Sequence, residues 1–164
     1  MLTRMTVALV LAIGMASPAL AVGSDSGSDS SSAGGKPAAL ATSTPYQDAV
    51  HAVKAGDYTN AVRLLKSVVA WNPNDADAWN YLGYSQRRLR QFDEALAAYE
   101  RALAIKPDHR GATEYLGEFY LQTNQPDKAR AQLARLATLC PGGCEEQEDL
   151  AQAVRAWEAA HPGG

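Results

Sequence analysis

The middle of this chain repeats with a period of 34 residues, and that period limits the folds open to it. Two sets of residues recur in register: Ala61, Ala95 and Ala129, and Pro73, Pro107 and Pro141. A repeat of this length is typical of stacked helical hairpins, none of which can bury its apolar face alone. The sequence therefore predicts an array in which each helix pair is stabilised by its neighbours.

The middle copy shows how the two helices of one hairpin would pack. Trp79, Leu82 and Gln86 lie at helical spacing, so they share one face of the first helix. Ala95 and Tyr99 share a face of the second helix in the same way. Because an isolated helix of this length is marginal in water, we expect the two faces to be buried against each other.

Small residues mark the points where the helices of each hairpin are expected to cross most closely. The pairs are Ala49 with Ala61, Gly83 with Ala95, and Gly117 with Ala129. A larger side chain at these positions would push the helix axes apart.

A proline ends each copy and positions the residues before it. Proline lacks an amide hydrogen and restricts the preceding residue, so it stops the second helix and turns the chain into the next hairpin. Trp71, Ile105 and Leu139 share the position two residues before that proline. This shared position predicts that Trp71 is a core residue.

The middle copy also carries a set of residues that together indicate a repeat family. They are Trp79, Asn80, Tyr81, Leu82, Gly83, Phe92, Asp93, Glu94, Ala95, Leu96, Tyr99, Ala102 and Pro107. This set resembles the tetratricopeptide repeat. The resemblance implies an all-α fold, a right-handed superhelical array of about three hairpins with a C-terminal capping helix, and a protein-binding scaffold rather than an enzyme. The outer copies depart from the pattern, with Pro45 at the position of Trp79 and Pro126 at that of Phe92.

The predicted domain covers residues 44–160, with repeats at about 42–75, 76–109 and 110–143. A capping helix is predicted at 145–160, because acidic residues suited to a helix N-terminus precede Leu150, Val154 and Trp157 at helical spacing. These three side chains would cover the otherwise exposed side of the third hairpin, as the end of a repeat array requires.

Residues 1–21 have the pattern of a cleaved secretory signal peptide. Arg4 precedes an apolar run from Val7 to Met15, and Ala19 and Ala21 supply small residues at the cleavage site. The run is shorter than the roughly 20 residues that span a bilayer, so no membrane span is expected after cleavage. Residues 22–43 are rich in Ser and Gly without an apolar period, which predicts a disordered linker. We expect an exported bacterial protein, periplasmic or secreted.

Charge and motif content argue against several function classes. The chain carries a net charge of −3, which becomes −4 without the predicted signal peptide because Arg4 is the only charged residue in it. The sequence offers no basic stripe for nucleic acid, no nucleophile with a matching base, and no phosphate-binding glycine loop. These features favour a non-enzymatic protein without cofactor, metal or nucleic-acid partner.

Cys140 and Cys144 are the only cysteines, and they flank a Pro-Gly-Gly turn after the third repeat. In an oxidising compartment a disulfide is the expected state. It would close a small loop and remove only about 2 kcal/mol of unfolded-state entropy, so its effect would be local. A redox-active dithiol or a metal-handling pair is the alternative, although the familiar redox motif has one residue fewer between its cysteines.

If the hairpins stack as they do in this family, the first helix of each copy lines the concave face. We expect its side chains to form a groove that binds a protein or peptide of the bacterial envelope. Self-association, in which the partner is a second copy of the chain, is the other form of this hypothesis. The predicted groove residues are Tyr46, Val50, Lys54, Asn80, Tyr84, Arg87, Arg88, Glu114 and Glu118. Tyr84 and Arg88 are the strongest candidates, because tyrosine and arginine most often carry interface energy.

Overall fold

The computed structural model describes residues 43–162, and the predicted signal peptide and nearly all of the predicted linker lie outside this range. Within it the chain forms seven helices and no strand, which confirms the all-α prediction. The helices are α1 (Pro45–Lys54), α2 (Tyr58–Trp71), α3 (Ala76–Arg88), α4 (Phe92–Ile105), α5 (Arg110–Gln122), α6 (Pro126–Leu139) and α7 (Glu145–Ala160). They pair as α1 with α2, α3 with α4 and α5 with α6, and each hairpin contacts the next.

The two prolines that depart from the repeat pattern both lie at the start of a helix. Pro45 is the first residue of α1 and Pro126 the first of α6. A residue at this position has no helical acceptor for its amide hydrogen, so proline costs nothing there. Thr44 adds a capping box at α1, because its hydroxyl accepts from the Gln47 amide at 3.2 Å and the Gln47 side chain accepts from the Thr44 amide at 2.8 Å. The outer hairpins therefore form despite the substitutions.

The turn inside each hairpin uses the same backbone conformation. Gly56, Arg90 and Asn124 lie one repeat apart and have φ values of 76°, 61° and 59°. This left-handed region suits glycine and is tolerated by asparagine. Arg90 is the exception, since it has a Cβ but lacks the short polar side chain that lets asparagine adopt this conformation.

The small residues are buried as the sequence predicts, but the glycines contact different partners from those expected. Ala95 is fully buried, yet a Cβ on Gly83 would lie 2.8 Å from ring carbons of Tyr99, one helical turn further along α4. A Cβ on Gly117 would lie 2.5 Å from a methyl group of Leu150 in α7. The glycines therefore make room for large side chains, and Gly117 does so for the last helix.

The prediction that Trp71 is a core residue is wrong. Its side chain is 87% exposed. Trp71 is the last residue of α2, and its repeat equivalents Ile105 and Leu139 are only half-buried. At the end of the second helix of each hairpin, neighbouring helices cover this position only partly or not at all, so shared spacing does not ensure its burial.

Helix α7 packs on the third hairpin through its apolar stripe. Leu150 is fully buried and Val154 nearly so, in a cluster that includes Leu121 and Leu136, and Trp157 packs at its edge. The contacts of α7 with both α5 and α6 match the covering role expected of these side chains.

Candidate protein-binding site

The first helices of the three hairpins lie side by side and form one surface, which we call the first-helix face. Helix α3 contacts both α1 and α5. Tyrosines join them: the ring centroids of Tyr46 and Tyr81 are 6.3 Å apart, and those of Tyr84 and Tyr115 are 4.9 Å apart. Such tilted pairs hold the aromatic rings in place, so this face presents a preorganised row of half-buried aromatic side chains.

Arg87 is buried in this face and its donors are used within the protein. Its guanidinium donates to Glu118 at 2.5 Å, to Gln122 at 3.3 Å and to the Tyr99 hydroxyl at 3.4 Å. Burial opposes the charge, but Tyr99 and Glu118 outweigh this effect and raise the pKa of Arg87. Arg87 and Glu118, both predicted for the groove, therefore connect α3 to α5.

Arg88 lies next to this pair but is exposed. Its guanidinium donates to the Tyr84 hydroxyl at 2.8 Å and lies 4.8 Å from the centroid of the Tyr58 ring. The contact with the tyrosine ring holds the guanidinium in place and leaves its other N–H donors available. Arg88 and Tyr84 thus provide a fixed cationic and aromatic patch that a partner can contact.

Tyr46, Val50 and Lys54 lie together on α1. They line a shallow cavity of about 290 Å³ with Gln47 and His51. Val50 is half-buried and Lys54 is exposed, so this end of the first-helix face combines apolar surface with one cation.

Asn80 and Glu114, the last two predicted groove residues, line a larger cavity of about 540 Å³. We call this cavity the acidic pocket, because six carboxyl groups line it: Asp77, Asp108, Glu114, Glu145, Glu146 and Asp149. Tyr46, Tyr81 and Tyr115 form its aromatic wall, and Lys106 and Arg110 are its cationic side chains.

Glu114 is the most perturbed group in the acidic pocket. The residue is 7% exposed and has no hydrogen-bond or ion-pair partner among residues 43–162. Burial, followed by the negative charges of Glu118, Asp149, Glu146 and Glu145, raises its pKa to about 8. The carboxyl of Glu114 is thus largely protonated at neutral pH, in contrast to an ordinary surface glutamate.

His109 positions the α5 side of the pocket. Its Nδ1 accepts from the Ala112 amide at 3.2 Å and caps the helix, and its Nε2 lies 2.9 Å from a carboxylate oxygen of Asp77 on α3. The sequence carries one signal for the aromatic wall of the pocket, since Tyr81 and Tyr115 occupy the same repeat position. The contribution of α7 had no such signal.

The cysteine turn lies between α6 and α7, and Cys144 directly precedes the pocket residues Glu145 and Glu146. The Sγ atoms of Cys140 and Cys144 are 2.05 Å apart and their Cα atoms 6.0 Å apart. Within residues 43–162, no group of three or more His, Cys, Asp or Glu side chains is arranged to hold a metal ion. In the same range, no helix is both long and apolar enough to cross a membrane.

The stacked helical hairpins and the first-helix face define a helical-repeat scaffold. Comparison with family models gives the same class of protein. Two profiles described as tetratricopeptide repeat match residues 46–109 and 86–138. Together they cover all three hairpins except the ends of the first and last. The chain belongs to the tetratricopeptide repeat family.

Individual relatives match part of the chain. The chain is 35% identical over 81 residues to tetratricopeptide repeat protein 37 of Xenopus laevis, covering 49% of the chain and 5% of that relative. It is 31% identical over 107 residues to protein FlbA of Caulobacter vibrioides, covering 65% of the chain and 18% of that relative. The chain therefore spans a small part of the length of each.

A solved structure shows the same arrangement of helices. The crystal structure of PcrH in complex with the chaperone binding region of PopD aligns with a TM-score of 0.61 at 19% identity, covering 70% of this chain and 86% of that one. At this identity the likeness concerns the fold.

Proposed function

We propose that this protein is a non-enzymatic, periplasmic adaptor whose first-helix face binds a segment of another protein. The observation that carries the proposal is the face itself, with tyrosines paired across α1, α3 and α5 beside the exposed Arg88. Rigid aromatic side chains next to an arginine are the chemistry most often found at the energetic centre of protein interfaces.

The similar structure supports the same use of the fold. In it, PcrH holds a binding region of another protein, PopD. The helices of this chain superpose on that fold over 70% of this chain, which supports the proposal at the level of the fold. The proposed periplasmic location rests on the signal-peptide pattern of residues 1–21.

Photocrosslinking in intact cells tests the binding face directly. A photoreactive amino acid replaces Arg88, which is exposed, rather than the half-buried Tyr84, whose ring packs on its neighbours. Glu100, an exposed residue on α4, serves as the matched control on an outer helix. We expect capture of a discrete partner from position 88 alone. Equal capture from both positions, or none from position 88, would refute the use of this face.

Two measurements test the periplasmic location of the protein and the oxidation state of its cysteines. Osmotic shock should release the protein with periplasmic markers, and retention in the cytosolic fraction would contradict export. Thiol titration of the denatured protein should find Cys140 and Cys144 oxidised and unreactive, as a structural disulfide predicts. A pair that reduces readily under mild conditions would instead favour the redox alternative.

A further inference from the structure

We infer that the acidic pocket is a subsite for a lysine or arginine side chain of the bound segment. The inference rests on the proposed function and names the chemistry of the partner. The pocket lies on the first-helix face, between α1, α3, α5 and the N-terminal end of α7. Its volume of about 540 Å³ is that of an ordinary ligand pocket, and it has room for a long cationic side chain with part of its backbone.

Charge complementarity identifies the occupant. Six carboxyl groups line the pocket against two cationic side chains, Lys106 and Arg110, and Arg110 already lies 3.6 Å from Glu146. Three tyrosines complete the wall, and tyrosine rings attract ammonium and guanidinium groups. A cation in this pocket would therefore be stabilised by both carboxylates and aromatic faces.

Helix ends explain some of these acids without a ligand, but not all of them. Glu145, Glu146 and Asp77 lie in the first turns of α7 and α3, where the helix dipole favours negative charge. That effect fades within the first turn, and Glu114 is the fifth residue of α5. Its burial beside other acids is unfavourable in the free protein and requires another explanation.

One buried acceptor in the pocket lacks a donor among residues 43–162. It is the Oδ1 atom of Asn80, in a residue 5% exposed. Buried acceptors of this kind are costly unless a donor reaches them. An ammonium or guanidinium group carries several donors and no acceptor, so it can donate to Asn80 Oδ1 and also balance the negative charge of the surrounding carboxylates.

The same arrangement makes binding depend on pH. Because the pKa of Glu114 is about 8 in the free protein, cation binding must remove its proton below that pH, and affinity should rise as pH increases toward about 8. Titratable and charged groups surround Glu114 in the pocket or act on its charge. They are Tyr46 from α1, Asp77 and Tyr81 from α3, Lys106, Asp108 and His109 between α4 and α5, Arg110, Tyr115 and Glu118 from α5, and Glu145, Glu146 and Asp149 from α7. Because other charged groups surround Glu114, the pH series compares the wild type with a Glu114 variant.

The test measures binding of three short peptides, blocked at both ends and identical except at alternating positions that hold lysine, glutamine or glutamate. Isothermal titration of the purified protein should show the lysine peptide binding at least about tenfold more tightly than the glutamine peptide. Glu114→Gln, which keeps the shape of the side chain, should remove most of that preference and flatten the rise in affinity between about pH 6 and about pH 8. Asp93→Asn, an exposed acid of α4 outside the pocket, should change neither result.

The outcomes separate this inference from the proposed function. Equal binding of the lysine and glutamine peptides would overturn the subsite while leaving the first-helix face as a peptide-binding surface. A preference for glutamate, or a lysine preference that Glu114→Gln leaves intact, would also overturn it. Binding of none of the peptides would also overturn the subsite. Crosslinking from position 88 would then test the proposed function independently. Asp149→Asn provides a second pocket variant if Glu114→Gln shows an altered circular dichroism spectrum.

Discussion

The buried contact between Arg87 and Glu118 should be a major source of stability between the second and third hairpins. Their side chains are 10% and 29% exposed, and Arg87 also donates to Gln122 and Tyr99. Arg87→Met keeps much of the aliphatic stem but removes every donor and leaves the Glu118 charge without its partner. A charge-assisted hydrogen bond contributes about 1.5–3 kcal/mol, and the two longer bonds contribute less. Since Glu118 remains partly hydrated, we expect a loss of about 2–3 kcal/mol, below the cost of breaking a fully buried pair.

Urea unfolding monitored by circular dichroism measures this loss, and a double-mutant cycle assigns it. Glu118→Gln is the second variant, and the two changes together should cost about 1–2 kcal/mol less than the sum of the single costs. Arg88→Met is the matched control, because Arg88 is the exposed neighbour, and the loss of its contacts with Tyr84 and Tyr58 should cost no more than about 1 kcal/mol. A loss for Arg87→Met no larger than that of the control, or additive single costs, would refute the role of this pair.

Three further substitutions test separate features of the fold. Gly117→Ala places a Cβ 2.5 Å from Leu150 and should lower the free energy of unfolding by about 1–3 kcal/mol in urea; an unchanged midpoint would contradict the close approach of α5 and α7. Arg90→Gly relieves a φ of 61° and should stabilise the protein by about 1 kcal/mol, so a lower melting temperature would count against the strain. Glu114 has its pKa raised from 4.5 to about 8 on folding, so the wild type should lose stability as pH rises across that window; Glu114→Gln should lose less, and parallel pH profiles would disprove the shift.

The hairpin array was predictable because its cause is local and repeated. The 34-residue period, the prolines and the helical spacing of residues such as Ala95 and Tyr99 each act within one hairpin. Trp71 shows the limit of that reasoning. Spacing places it on the α2 helix in the same register as Ile105 and Leu139, but exposure depends on what lies beyond the helix end, and nothing covers it there among the described residues.

The site was only partly predictable, because a helical stripe does not say which of its members are already paired. Spacing assigned Arg87 and Arg88 to one groove, yet adjacent residues on a helix point about 100° apart. Arg87 consequently turns toward α5 and Glu118, while Arg88 stays exposed. The acidic pocket depends on side chains as far apart in sequence as Asp77 and Asp149, which only the packing of α7 brings together.

The pairing of Arg87 with Glu118 also decides which charges remain for a partner. It neutralises the middle of the first-helix face, so Lys54, Arg88 and the acidic pocket hold charges that are available for binding. Asp77 is the second residue of α3 and Arg88 the last, which places them about 16 Å apart along the helix. Opposite charges at opposite edges favour one orientation of a bound segment. This face should therefore discriminate between segments by their chain direction as well as by their amino-acid composition.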